Sequence, residues 1–104
     1  MVPNIANDVI DSAEAVFANR HDRRFGTAVR SFADAIAQVT ESAPAQWSHG
    51  TLAALRHVSE QVVRNIEARL EDTNDPARAQ QGLIDGMNEI RRVLGAIDDI
   101  QRDR

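Results

Sequence analysis

Apolar residues in the last third of the chain recur as Leu83, Met87, Ile90, Leu94 and Ile97, in alternating steps of four and three. That spacing keeps side chains on one face of an α-helix. Ile84, Val93 and Ile100 flank the seam. At about 100° per residue, these positions together cover roughly half the helix circumference. A helix that only floors a small core needs a stripe nearer 100° wide. The surplus width predicts apolar neighbours on two sides, within a bundle, across a dimer or against a partner.

Three earlier segments show the same period. The first runs from about Asn4 to Ala18 after Pro3, with Ile5, Val9, Ser12/Ala13 and Val16 inward and Ile10 and Phe17 on a second stripe. Proline suits the entry to a helix. Residues 19–24 carry little apolar content and predict a bend, with Asp22 as N-cap of the next helix. No Pro or Gly interrupts the chain there before Gly26, so one long helix is the alternative. The second segment spans about Arg23 to Glu41 on Phe25, Val29, Phe32, Ile36 and Val39, with Ala28, Ala33, Ala35 and Ala37 keeping its other surfaces slim.

Residues 42–50, with Pro44 and Gly50, read as a loop. The only Trp, Trp47, lies in it, and either lids the core or anchors a partner. The third helix covers about Thr51 to Leu70 on Leu52, Leu55, Val58/Ser59, Val62, Ile66 and Leu70, with Glu60 and Arg64 spaced as an i,i+4 ion pair. The stretch from Glu71 to Pro76 is the strongest break; Asp75 before Pro76 reads as N-cap and first helical residue. The fourth helix then runs to about Gln101, and Gly82 and Gly86, four apart, are expected to form a groove for a crossing helix. Similar lengths and short connections predict one all-α domain over 1–104, an antiparallel up-down bundle of four helices. Fusion of the first two helices would give three longer helices that dimerise.

Composition narrows the chemistry. Cysteine is absent, which removes disulfides and thiolate metal sites. All 12 basic residues are Arg, so no catalytic or phosphate-cradling Lys is available. Two explanations fit a lysine-free chain: a GC-rich genome, or delivery of a bacterial protein into a host where ubiquitination is selected against. A net charge of −4 argues against nucleic acid as the partner. The one basic cluster, Arg20, His21, Arg23 and Arg24, is interrupted by Asp22 and reads as a solvated bend. No apolar run approaches the ~20 residues of a membrane span, and no signal peptide is visible. A cytoplasmic protein is expected, with signal-less secretion or host delivery as the alternative.

Candidate reactive groups are few. His57 and Glu60 are i,i+3 and could supply two metal ligands, but a di-iron bundle needs Glu-x-x-His on each of two helices. His49-Gly50-Thr51-Leu52 lacks the Lys and Gly of the H-x-x-K-G phosphotransfer pattern. Trp47-Ser48-His49-Gly50 has one residue more than the W-x-G turn of the small helical-hairpin proteins of type VII secretion, and that family is not assigned. With no catalytic, metal or cofactor residue to name, the expected function is non-enzymatic protein–protein contact. The partner is another protein or a second copy as a homodimer. One version is a bacterial or phage antagonist or immunity-type inhibitor that blocks a basic partner, because acidic surfaces steer onto basic ones. The alternatives are a structural or chaperone-like homo-oligomeric subunit and, third, a metal-binding or phosphotransfer bundle. The residues expected at the contact are Trp47, Ile84, Val93, Ile100, Asp85 and Glu89.

Overall fold

Polar punctuation sets the helix boundaries. In the computed structural model, which describes residues 4–41, 48–72 and 75–102 without the side chains of 4–7, 39 and 40, four helices form: α1 Asn4–Ala18, α2 Phe25–Glu41, α3 His49–Glu71 and α4 Ala77–Arg102. The bend between α1 and α2 is a real break, so the chain has four helices rather than three long ones. Asn19 closes α1 by donating from Nδ2 to the Ala15 carbonyl at 2.8 Å. Asp22 Oδ1 accepts from the Arg24 amide at 2.7 Å. α2 begins only at Phe25, whose amide reaches back to the Asp22 carbonyl, so Asp22 builds an Asx turn leading into α2 rather than standing as the residue next to its first turn.

α3 begins earlier than its glycine suggests. Ser48 is extended at φ −69°, ψ 157°, and its Oγ accepts from the Thr51 amide at 3.1 Å. This N-cap satisfies one of the unpaired first-turn donors, and it draws His49 and Gly50 into the helix instead of the loop. Ser48→Ala is expected to cost about 1 kcal/mol, read as a lower urea midpoint with unchanged m-value.

The helices pack as a ring: α1 on α2, α2 on α4, α4 on α3 and α3 on α1, with the α1/α4 and α2/α3 diagonals touching least. Arg69 Nη1 donates to the Arg20 carbonyl at 2.9 Å, which sets the ends of α1 and α3 side by side. Arg56 reaches Asp98 at 2.7 Å, which sets the start of α3 beside the end of α4. These contacts are consistent with up-down alternation along the chain. In a ring of this order each helix meets two neighbours. Of the extra width of the α4 stripe, Val93 and part of Ile100 are therefore used inside the fold, while Ile84 stays outside the core.

Most of the predicted inward positions form the core; Leu70, Met87 and Leu94 are only partly buried against it, and the side chains of Ile5 and Val39 lie outside the described residues. Val9, Val16, Phe25, Val29, Phe32, Ile36, Leu52, Val62, Ile66, Ile90 and Ile97 are all essentially inaccessible. Ser59 is the buried polar residue of the core, and its Oγ donates to the Leu55 carbonyl at 2.7 Å. That bond lets it occupy a seam position without an unsatisfied hydroxyl. Two expectations change. Ile10 stays 44% exposed, so the second stripe of α1 holds only Phe17 against the core. Glu60 pairs with Arg56 at 3.2 Å instead of Arg64, because Arg56 is positioned to reach both Glu60 and Asp98. No helix among the described residues is long and apolar enough to cross a membrane.

Candidate interaction face

An open concavity lies between the N-terminal halves of α2 and α4. Val29 and Gly86 mark a close approach: a Cβ on Gly86 would sit 2.8 Å from Val29 Cγ1. One turn earlier on each helix, Gly82 and Gly26 face open space, where an added Cβ would meet nothing within 4 Å. Only Gly86 therefore takes the crossing helix that the sequence spacing assigned to both glycines. The result is an open groove of about 780 Å³, floored by Phe25, Ala33 and Leu83. Arg23, Arg30 and Asp34 rise on the α2 side, and Asp85 and Glu89 on the α4 side.

The two glycines predict opposite responses to the same substitution. Gly82→Ala gains helix propensity with nothing to collide with, worth about 0.5–1 kcal/mol of added stability. Gly86→Ala must push aside a fully packed, β-branched Val29, and overpacking of this kind costs about 1–3 kcal/mol. Thermal unfolding of the two variants should therefore move in opposite directions, and equal shifts would contradict the groove geometry.

Arg69 closes the end of the groove and was not singled out by the sequence pattern. Its Nε and Nη2 donate to Asp75 Oδ2 and Oδ1 at 2.8 and 3.0 Å. Its guanidinium lies 5.4 Å from the Phe25 ring centroid and also bonds the Arg20 carbonyl. One side chain thus joins the end of α1, the start of α2, the end of α3 and the approach to α4. The Asp75 hydrogen bonds are the largest cause holding Arg69 above the ordinary arginine value, opposed by burial. The same bonds hold Asp75 below the ordinary aspartate value, again against burial. Asp75 therefore spends its carboxylate on Arg69 instead of capping α4. The helix starts at Ala77, its first bond running from the Gln80 amide to the Pro76 carbonyl.

The residues expected at a partner contact separate into groups. Val93 is 3% exposed and belongs to the core, so it is not a surface residue of this fold as its assignment to a contact expected. Ile100 is partly buried against the same core. Ile84 is half-buried and is not part of the core cluster. Asp85 and Glu89 line the groove; Asp85 accepts from Gln81 at 3.0 Å, and Glu89 pairs with Arg92. Trp47 lies outside the described residues. The sequence pattern missed Arg23, Arg30 and Asp34 as wall residues, although all three fall on the polar face of α2 or its approach.

His57 is exposed on α3, and Glu60 turns its carboxylate to Arg56 rather than towards His57. Among the described residues, no three His, Asp or Glu side chains converge as a metal site. No family model matches the chain, and neither curated proteins nor solved structures show a significant match to it.

Proposed function

We propose that this chain acts by protein–protein contact, with the α2/α4 groove as the contact face. The observation that carries the reading is the open groove itself: a concave, partly apolar floor rimmed by charge, the composition of a contact surface with a polar rim. Gly26 and Gly82 hold it open where ordinary side chains would fill it. The two groups with shifted proton affinities, Arg69 and Asp75, are bound to each other, which suits a structural clamp better than a reacting acid or base. A net charge of −4 supports the version in which a basic partner is steered in and blocked, as an antagonist or immunity-type protein would do. The walls, however, carry both signs of charge, and that favours the assembly-subunit version.

A photo-reactive residue placed at Gly82, with Ala53 on the exposed face of α3 as control, tests this reading in cells. The expected result is one dominant cross-linked product at position 82 that is absent at 53. Equal, diffuse labelling at both positions would overturn the assignment of the face.

A further inference from the structure

We infer that the occupant of the groove is a second copy of this chain, joined about a two-fold axis that runs along the helices between α2 and α4. This rests on the reading of the groove as a contact face and names its partner. The distribution of charge points to it. Next to the crossing point the α2 wall presents Arg30 and the α4 wall presents Asp85 and Glu89. A two-fold axis parallel to the helices lays α2 of each copy over α4 of the other at the same height. Arg30 of each copy then meets Asp85 and Glu89 of the other, twice per dimer. Such a surface is self-complementary, which is the requirement of an isologous interface.

The register can be read from Val29 and Gly86, which touch and so are level. Arg30, one residue beyond Val29, is level with the α4 segment between Asp85 and Glu89. Asp34, five residues beyond Val29, comes close to level with Arg92, six residues beyond Gly86, whereas Arg91 turns to Glu67 of α3. Among the described residues, Arg30 and Asp34 have no ion-pair partner within the chain. Gly26 and Gly82 remove the side chains that would otherwise keep the two copies apart. A partner of purely basic or purely acidic surface would leave one wall of the groove facing like charge.

Sedimentation across concentration, with paired charge reversals, tests the proposal. Wild type is expected to dimerise reversibly in the micromolar range, with dissociation that rises with salt. Arg30→Glu and Asp85→Arg should each weaken self-association by at least tenfold, because each places like charges together at both symmetric positions. An equimolar mixture of the two variants should recover a heterodimer, since the carboxylate introduced at position 30 then meets the arginine introduced at position 85, and native Arg30 meets native Asp85. Both residues are exposed, so circular dichroism should show both variants folded. Should either fail to fold, Gly82→Phe, which fills the groove without changing charge, must still abolish the dimer. A wild type that stays monomeric at several hundred micromolar overturns the proposal, as does a mixture that does not associate. Those results would leave the cross-linking test at Gly82 standing, because a different partner would still label there.

Discussion

Val93→Glu is expected to unfold the chain or to lower its stability by more than about 4 kcal/mol, whereas Ile84→Glu should cost less than about 1 kcal/mol. The two residues look alike in sequence, since both flank the α4 seam and both widen the apolar stripe. In the fold they differ by their neighbours. Val93 is 3% exposed in the core, where α4 packs on α2 as well as on α3. A carboxylate there would be buried with no cationic partner, or would stay neutral at the cost of a raised pKa. Ile84 is half-buried at the margin of α4 and outside the core cluster, so a carboxylate can reach water. Ile100, partly buried against the core, should fall between them. Urea unfolding of the three variants checks the order. A folded Val93→Glu with near wild-type midpoint would mean that the wide stripe does face outward.

Val93 and Ile84 mark the boundary between what is local in this fold and what is not. Four helices and most inward residues are legible from periodicity, because a 3.6-residue repeat and local breakers act within a few residues. Helix α1 spans the predicted Asn4–Ala18, and Phe25, Val29, Phe32, Ile36, Leu52, Leu55, Val62 and Ile66 of the predicted seams are core, whereas Leu70 is only partly buried and Ala33, predicted on an outer surface, is buried. The purpose of the α4 width was not legible, because it depends on which helices become neighbours. A ring in which α4 meets both α2 and α3 uses the Val93 flank internally, and no local pattern encodes that choice.

Ser48 escaped for a different reason. Its cap lacks the Glu or Gln at the third helical position that completes a capping box, and Gly50 two residues later reads as loop. The groove was half legible. The pair Gly82 and Gly86 signalled a close approach, but the placement of α2 beside α4 covers only Gly86. The basic part of the groove was missed because Arg23 and Arg30 look like any solvated arginines until α4 is placed beside them.

Arg69 carries the second large effect. Replacing it with Met, which keeps the apolar stem, should destabilise the chain by about 2–3 kcal/mol and lower the melting temperature by about 10 °C or more. A signal for it existed in the sequence: it falls three residues after Ile66, on the seam, where an arginine must find a partner. The partner lies across the α3–α4 turn, and that geometry could not be read locally. The side chains of Arg69 and Asp75 are only 16% and 18% exposed, so the pair is much less screened than the surface pairs of α3 and α4. Removing Arg69 strands a partly buried carboxylate, frees the Arg20 carbonyl and uncovers the Phe25 ring. Asp75→Asn keeps the shape and weakens the same clamp, and the pair should show a coupling energy above about 1 kcal/mol in a double-mutant cycle. The pH dependence supplies an independent check. Asp75 is depressed in the folded state, chiefly by its bonds to Arg69, so its contribution is complete above the unfolded aspartate value of about 4 and is lost as the pH falls through the lower folded value. The gap in melting temperature between wild type and Asp75→Asn should therefore be constant near neutrality and close in acid. Parallel curves down to the lowest pH at which both fold would show that the Arg69 clamp contributes nothing through its charge.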